Sequence, residues 1–281
     1  MDFVFKTVGL VARYDKKQAL KLVEDLAAYL SKKGLKVYLE DTLAGKVNCE
    51  EETVPLSKMK TDFIITIGGD GTILRTSITI PNPEPPILSI NMGERGFLTE
   101  IEPKCAFEAV DKILKGDYNL EKCFKLAVFA GEEALPDALN DVVVSAGEPS
   151  RILSSHIFKD GKPIFKCQAD GLVVATQTGS TAYSLSAGGP VLDPSVNAFI
   201  ITPISSLTVF RSLVFPADCT VTLKAIRPKE MLVLIDGKNY RRALSDQSLK
   251  ITMSKNFASF IRFDTDFYDR LRNRLLFQGV E

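Results

Sequence analysis

The chain has 281 residues, 45% of them hydrophobic and 25% charged, which is typical of globular proteins large enough for two domains. Lys+Arg and Asp+Glu both number 35, so the net charge is zero and nucleic-acid binding driven by bulk charge is disfavoured. No apolar run approaches the ~20 residues of a membrane span, and the amino terminus lacks a signal-peptide pattern. The five cysteines lack CxxC spacing. We expect a cytoplasmic protein without membrane contact, disulfide framework or zinc site.

The first part of the chain alternates strands with helices. Apolar residues at helical spacing between Ala19 and Leu30 predict a helix that Gly34 ends. The polar stretch 41–60 has no clear pattern and could be a flap or a surface insertion. The alternation predicts a parallel α/β sheet, which binds ligands beyond the carboxyl ends of its strands. Buried-strand patterns occupy residues 7–12, 35–39, 64–68 and 87–90.

After one more helix at 107–114 the pattern changes to short strand-like runs, and a mostly-β domain is expected to start near residue 97. These runs cover residues 126–130, 141–145, 153–158, 164–168, 172–175, 199–202, 221–225, 231–235 and 249–253. A final helix is predicted by Phe267, Leu271 and Leu275. We therefore expect an α/β plus β-rich fold with the active site between two domains. The parallel-sheet domain comprises residues 1–96 plus a C-terminal helix at 264–281, and the mostly-β domain comprises residues 97–263.

The glycine-rich loop Gly68–Thr72 lies between a buried-strand pattern and the helix-like run 72–77. A strand, a glycine turn and a helix N-terminus in that order direct backbone N–H groups and the positive end of the helix dipole outward, which suits a phosphate. An acid in such a loop would repel phosphate unless Asp70 holds Mg²⁺ or accepts a proton from an attacking hydroxyl. The plain alternative is that Asp70 only caps the helix.

A second unusual stretch, Asp170–Pro190, interrupts the β pattern. A strand leads into Thr-Gly-Ser-Thr, then a short helix of small residues and then Gly-Gly-Pro. Tyr183 offers an aromatic face for stacking. Simple packing of a capped helix does not need so many small hydroxylated residues, so a ligand site is favoured. The hydroxyl groups expected to bond a ligand belong to Ser180, Thr181, Ser184 and Ser186.

These two stretches together resemble the NAD kinase family, which transfers the γ-phosphoryl group of ATP to the 2′-hydroxyl of NAD's adenosine ribose. The Gly68–Thr72 loop alone is also similar to loops of 6-phosphofructokinases and of diacylglycerol and sphingosine kinases, whereas the block Thr178–Pro190 is far more specific. The resemblance implies a homodimer or homotetramer that uses Mg²⁺ or another divalent cation, with NAD and ATP or polyphosphate as substrates. Further segments similar to the family are Asn91–Gly93, Gly96–Leu98, Asn140–Asp141 and Asp236–Gly237.

The resemblance also implies roles for individual residues. Asp70 matches the family's catalytic acid, expected to accept the proton of the 2′-hydroxyl or to help hold Mg²⁺. The residues implied to bind ATP phosphates are Gly68, Gly69, Gly71 and Thr72. The residues implied to bind NAD are Gly71, Arg75, Asn91, Asn140, Asp141, Arg151, Gln168, Asp170, Thr181, Ala182, Tyr183 and Ser186. A GxxxxGK[ST] loop and a GxGxxG after the first strand are both absent from the sequence, which disfavours a P-loop enzyme and a dehydrogenase.

Two positions depart from the family pattern. Residues 202–206 lack a histidine that many members carry, and Lys238 stands where many have glutamine. These changes bear on substrate preference more than on the reaction. Two alternatives stay open: a lipid or sugar kinase with the same Gly-Gly-Asp-Gly-Thr loop, and a non-catalytic NAD or NADP sensor. The block Thr178–Pro190 speaks against the first, and the intact loop around Asp70 speaks against the second.

Overall fold

The computed structural model describes residues 5–93, 96–148, 151–208, 211–244, 247–263 and 267–272. Within these residues no helix is long and apolar enough to cross a membrane. The helices are α1 (Lys17–Lys32), α2 (Asp70–Thr79), α3 (Ala106–Lys115), α4 (Tyr183–Ser186) and α5 (Phe267–Leu271). The strands are β1 (Thr7–Ala12), β2 (Lys36–Glu40), β3 (Glu52–Val54), β4 (Phe63–Gly68), β5 (Ile87–Asn91), β6 (Asn119–Ala130), β7 (Glu133–Ala138), β8 (Asp141–Ala146), β9 (Leu153–Lys159), β10 (Lys162–Ala169), β11 (Gly171–Ala175), β12 (Ala198–Ile204), β13 (Leu213–Pro216), β14 (Val221–Arg227), β15 (Glu230–Ile235), β16 (Asn239–Leu244) and β17 (Leu249–Arg262).

The chain divides into two compact units, and the first comprises Met1–Cys123 and Ala258–Glu281. Its strands are ordered β3-β2-β1-β4-β5, and all neighbouring pairs are parallel. Strand β4 is buried throughout, as expected for β-branched apolar residues in a sheet covered on both faces. The strand order reverses between β1 and β4. Open α/β sheets bind ligands at such a switch point, beyond the carboxyl ends of the strands.

The helices of the first unit bury one apolar face each. Helix α1 ends where Gly34 takes the left-handed conformation (φ 88°) that a side chain would disfavour, as the sequence predicted. Helix α3 buries Ala109, Val110 and Ile113 in the same core as β1 and β4. Because α3 shares this core, the first unit extends to Cys123, beyond the boundary expected at residue 97.

The second unit, Phe124–Phe257, is built almost entirely of antiparallel strands. One sheet has the order β13-β12-β11-β8-β15-β16, and a further set has the order β10-β9-β14-β17. Two hairpins turn at Asp160-Gly161 and Asp236-Gly237, where all four residues have positive φ between 49° and 79°. That is the geometry of a tight hairpin turn, for which Asp-Gly is a preferred sequence.

Most of the predicted elements are present, with differences at weakly patterned segments. The stretch 41–60 contains the short edge strand β3, and the predicted final helix is present as α5, while Leu275 lies outside the described residues. Strand β17 continues to Arg262, beyond the predicted end at residue 253. The sequence did not predict β7, β13 and β16, because these strands are short or polar and two of them contain proline.

Candidate functional site

Asp70 is the first residue of α2 and does not cap it. The N-cap is Gly69, whose backbone is extended (φ −109°, ψ −171°). The carboxylate of Asp70 accepts hydrogen bonds from the backbone N–H groups of Phe97 (2.9 Å) and Leu98 (3.2 Å). The helix-cap explanation for Asp70 is therefore wrong. Two backbone donors orient its carboxylate at the switch point of the sheet.

Gly96 leaves room for this carboxylate. A methyl group added at Gly96 would overlap both carboxylate oxygens of Asp70. Any larger residue at position 96 would therefore displace either the Asp70 carboxylate or the backbone at residue 96. The segment Gly96–Leu98, which the sequence indicated as similar to a family motif without a stated role, thus holds the carboxylate of Asp70 in place. Residues 94 and 95 lie outside the described part of the chain.

The loop Gly68–Thr72 contains two packed and two open positions. A methyl group at Gly68 would overlap the side chain of Thr72, which is buried and donates its backbone N–H to Gly69 O (2.9 Å). By contrast, a methyl group at Gly69 or Gly71 would meet no heavy atom within 4 Å. The loop therefore exposes its backbone at Gly69 and Gly71, while the contact between Gly68 and the Thr72 side chain fixes the conformation of the loop.

Lys16 and Asn91 lie at the same edge of the sheet. Gly68 and Asn91 are register partners on β4 and β5, and Met92 donates its backbone N–H to Gly68 O (3.0 Å). The Lys16 ammonium donates to Met92 O (2.8 Å) and is partly buried. This cation could not be recognised from the sequence, because a single lysine after β1 has no distinguishing pattern. Its charge adds to the attraction of this edge for an anion.

Arg75, predicted to contact the nucleotide, is held by an ion pair. Its guanidinium contacts both carboxylate oxygens of Glu40, through Nη1–Oε1 and through Nη2–Oε2 at 2.8 Å. Glu40 is only 1% exposed. A buried carboxylate requires such a partner, so the pair ties α2 to the end of β2.

In the second unit, Asn140 and Asp141 lie where three segments meet at one end of the six-stranded sheet. Strand β8 starts at Asp141, whose register partner is Ala175 at the end of β11, and the β15–β16 turn starts with Asp236 beside it. The Asp236 carboxylate accepts the backbone N–H groups of Leu139 (2.9 Å), Asn140 (2.7 Å) and Asp141 (3.0 Å). The Asn140–Asp141 loop is therefore held by a buried acid.

Two buried carbonyl oxygens at this end lack a partner. Asn140 Oδ1 and Gln177 Oε1 accept no hydrogen bond from any described residue. A buried acceptor without a donor costs roughly 1–3 kcal/mol. Such acceptors are expected where a ligand supplies hydroxyl or amino donors, as a ribose and an adenine do.

The segment Thr178–Ser186 uses most of its hydroxyl groups internally, which differs from the expectation that they bond a ligand. Ser180 donates to Gln177 O (2.6 Å), Thr181 donates to Thr178 O (3.2 Å), and Ser184 is bonded to the hydroxyl of Thr202 (2.9 Å). A methyl group at Gly179 would overlap the backbone of Asn140, so glycine permits this close approach. Exposed positions remain at Tyr183 (46%) and Ser186, with Ala182 half-buried.

Two buried acids, Asp141 and Asp236, determine the electrostatics at the Asn140–Asp141 end of the six-stranded sheet. Burial, and then the negative charge of Asp236, raises the pKa of Asp141 to about 7. Burial also raises the pKa of Asp236, opposed by its three backbone donors and by the positive charge of Lys125. Near neutral pH, Asp141 therefore exists in both its protonated and its ionised form.

Three predicted NAD-binding residues lie away from this end. Asp170 precedes β11, so it lies beyond the opposite end of the sheet, and Gly171, the residue after it, is already roughly 13 Å along the strand from Ala175. Gln168 is exposed near the end of β10. Arg151 pairs with Glu148 (2.5 Å) and lines an open cavity of 720 Å³ with Arg227 and other charged residues. The structure thus brings Asn140, Asp141 and the 178–186 segment together but separates Arg151, Gln168 and Asp170 from them.

Two protein-family models match the chain. The ATP-NAD kinase N-terminal domain matches residues 8–118, and the ATP-NAD kinase C-terminal domain matches residues 139–263. The chain is 38% identical over 277 residues to an NAD kinase of Methanothermobacter thermautotrophicus, covering 98% of both chains. It is 39% identical over 272 residues to an NAD kinase of Thermococcus gammatolerans, covering 95% of this chain and 98% of the relative.

Solved structures agree with these matches. A crystal structure of an NAD kinase from Archaeoglobus fulgidus in complex with ATP has a TM-score of 0.78 at 26% identity, covering 95% of this chain and 96% of that one. Yeast NADH kinase complexed with NADH has a TM-score of 0.89 at 24% identity, covering 99% of this chain and 89% of that one, and shows the shared fold.

Proposed function

The chain belongs to the NAD kinase family, and from this we propose that it transfers the γ-phosphoryl group of ATP to the 2′-hydroxyl of NAD's adenosine ribose, forming NADP. The observation that carries the proposal is the carboxylate of Asp70, oriented by two backbone N–H groups at the switch point of a parallel sheet. The lipid-kinase, sugar-kinase and sensor alternatives are not favoured, because both NAD kinase domain models match the chain.

Asp70 acts as the general base in this proposal. Its carboxylate accepts the proton of the ribose 2′-hydroxyl while the oxygen forms a bond to the γ-phosphorus of ATP. The bond between that phosphorus and the bridging oxygen breaks, and ADP leaves with the electron pair. The hydrogen bonds from Phe97 and Leu98 keep the carboxylate in one orientation, so that it needs no rearrangement to receive the proton.

The loop around Asp70 supplies a phosphate site. The backbone is open at Gly69 and Gly71, and the positive end of the α2 dipole lies there. Lys16, bonded to Met92 O, adds a positive charge at the same edge. Gly68 and Thr72, predicted as phosphate ligands, support this site by fixing the shape of the loop.

A divalent cation at this site would take ligands from the phosphates of ATP as well as from the protein. Among the described residues no group of three or more His, Cys, Asp or Glu side chains is placed to hold a metal ion. We propose that Mg²⁺ is held by oxygens of the triphosphate, with Asp70 as the nearby carboxylate. When bound, Mg²⁺ neutralises negative charge on the phosphate oxygens.

The Asn140–Asp141 loop and the 178–186 segment bind NAD in this proposal. The unpartnered oxygens of Asn140 and Gln177 suit donors on adenine or ribose, and exposed Tyr183 suits a ring to stack on. Asp141 in its ionised form suits the hydroxyl groups of a ribose. Gln177 is an addition to the residues that the sequence indicated.

We also propose a homo-oligomer in which the NAD site draws on two copies of the chain. Arg151, Gln168 and Asp170 lie toward the opposite end of the β8–β11 pair from Asn140, which favours contact with an NAD molecule held by a second copy. The direct path between them follows β8 and β11, which are buried along nearly their whole length. In such an oligomer, an NAD molecule held at Asn140 of one copy would be contacted by Arg151, Gln168 and Asp170 of a second copy.

A cytoplasmic location is supported by the cysteines. All five, each in the described part of the chain, are free thiols, and reduced thiols persist in the cytoplasm.

The test is formation of NADP from NAD and ATP by the purified protein, detected with an NADP-specific dehydrogenase. We expect product that requires a divalent cation and disappears with EDTA. Parallel reactions with polyphosphate identify the donor, and reactions with diacylglycerol or fructose 6-phosphate test the two other kinase classes. NAD binding without product from any donor would support a sensor instead.

A further inference from the structure

Asp236 makes an unusual set of contacts for a turn residue. Its carboxylate accepts three consecutive backbone N–H groups, from Leu139, Asn140 and Asp141, at 2.7 to 3.0 Å. Its own N–H donates to Asp141 O at 3.0 Å. Four hydrogen bonds thus join one residue of the β15–β16 turn to the segment that leads into β8.

Residues 139 and 140 of this segment depend on hydrogen bonds from outside a sheet to hold their conformation. Residues 139 and 140 lie between β7 and β8 and are not paired in a sheet, so their buried N–H groups need acceptors from elsewhere. On the other side, Thr176 donates its hydroxyl to Leu139 O (2.7 Å) and its backbone N–H to Asn140 O (2.9 Å). Asp236 therefore accepts the hydrogen bonds from the N–H groups of this segment, and Thr176 donates hydrogen bonds to its carbonyl oxygens.

We infer that Asp236 is a positioning residue for NAD: its buried carboxylate fixes the Asn140–Asp141 loop in the conformation that binds the dinucleotide. The inference rests on the proposed role of that loop in NAD binding. Asp236 is 5% exposed and Lys125, whose charge favours its ionised form, is 2% exposed. A buried carboxylate is costly unless hydrogen bonds and a nearby opposite charge compensate it, as three backbone donors and Lys125 do here, so this arrangement is more than a preference of the hairpin turn for aspartate.

A second consequence concerns the protonation of Asp141. Among the described residues, the charged group that acts on Asp141 is Asp236, and the charged group that acts on Asp236 is Lys125 on β6. The negative charge of Asp236 contributes to raising the pKa of Asp141 to about 7. Neutralising residue 236 removes this repulsion, so Asp141 would ionise at lower pH. Asp236 thus sets both where the loop lies and the pH at which Asp141 becomes an acceptor for ribose hydroxyls.

The chain offers a matched control for testing this. Asp160 begins the β9–β10 turn with the same φ of 49° and the same following glycine. Among the described residues, however, its carboxylate accepts one backbone N–H, from Thr220 (2.9 Å), and it is exposed. Asp160→Asn and Asp236→Asn therefore make the same chemical change in the same turn type. Only the second affects a buried carboxylate that bridges to the Asn140–Asp141 loop.

The experiment compares Asp236→Asn and Asp160→Asn with the wild type by amide hydrogen exchange and by kinetics. In Asp236→Asn we expect exchange at residues 139–141 to accelerate at least about tenfold and the KM for NAD to rise at least about tenfold, while kcat and the KM for ATP stay within about threefold. The rise of affinity for NAD with pH, centred near pH 7 in the wild type, is expected at lower pH in this variant. Asp160→Asn is expected to match the wild type.

Unchanged exchange at residues 139–141 in Asp236→Asn would overturn the inference, as would a fall in kcat with an unchanged KM for NAD. The exchange measurement needs no substrate, so it tests the anchor even if the proposed reaction fails. If Asp236→Asn does not fold, Asp236→Glu carries the same test, because it keeps the charge and moves the carboxylate by one methylene.

Discussion

Several contacts of the candidate site depend on single glycines. At Gly96 the carboxylate of Asp70 occupies the space of a side chain, and at Gly179 the backbone of Asn140 does so. Both glycines could be recognised in the sequence as members of short motifs. Their partners could not, because each contact joins segments far apart in the chain, and no local pattern encodes such a pairing. Close approach at these points explains the glycines better than conformational freedom, since neither has a positive φ.

Gly96→Ala tests whether the segment Gly96–Leu98 holds the carboxylate of Asp70 in place. The added methyl group overlaps the carboxylate, so Asp70 must move, and we expect kcat to fall by about a hundredfold, as a misplaced catalytic group commonly causes. The measurement is steady-state NADP formation. Gly147→Ala is the control, because its methyl group would meet only Glu230 O at 3.8 Å, an ordinary contact. Wild-type kcat in Gly96→Ala would show that this placement is not needed.

At the scale of elements, the ion pair between Arg75 and Glu40 joins helix α2 to strand β2. The sequence predicted both elements, because their apolar periods are clear. It did not predict the pair, because Glu40 is the last residue of a strand whose neighbours are defined only by the tertiary structure. Because the Glu40 carboxylate is only 1% exposed, it needs the guanidinium of Arg75 as its partner. Arg75 therefore has a structural role in addition to any role in nucleotide binding.

Arg75→Ala separates these two roles of Arg75. Removing the guanidinium leaves Glu40 buried without its partner, so we expect the free energy of unfolding to fall by about 3 kcal/mol, measured by urea denaturation. The control is Arg13→Ala, which breaks an exposed pair with Asp15 and is expected to cost less than about 1 kcal/mol. An unchanged urea midpoint in Arg75→Ala, with a raised KM for NAD, would make Arg75 a nucleotide contact only.

The whole molecule combines chemistry from distant parts of one chain. The carboxylate of Asp70 meets Phe97 and Leu98, 27 and 28 residues on, and Asp236 meets Asn140, 96 residues earlier. The sequence predicted two domains, the Gly68–Thr72 loop and the 178–190 block from local patterns. Lys16, Gln177 and the anchoring contacts of Asp236 emerged only from the structure, since each depends on which strands become neighbours.

Mixing two variants tests whether the NAD site draws on two copies of the chain. Asn140→Ala and Asp170→Ala are each expected to lower NAD affinity at least about tenfold. In a symmetric dimer that shares its sites, co-expressed variants form hybrids with one intact site, so about a quarter of wild-type activity returns at limiting NAD. If both residues serve the same copy, every site in the mixture is damaged and no activity returns. Light scattering gives the oligomeric state independently.

The role of Asp70 as the general base is tested most directly by the turnover of Asp70→Asn with NAD, ATP and Mg²⁺. The substitution keeps the size of the side chain and removes its capacity to accept a proton, so we expect kcat to fall by roughly a thousandfold. The dissociation constant of NAD is expected to stay within about twofold, because the groups proposed to bind NAD are unchanged. A kcat near the wild-type value would contradict the role of Asp70 as the base that accepts the proton of the 2′-hydroxyl.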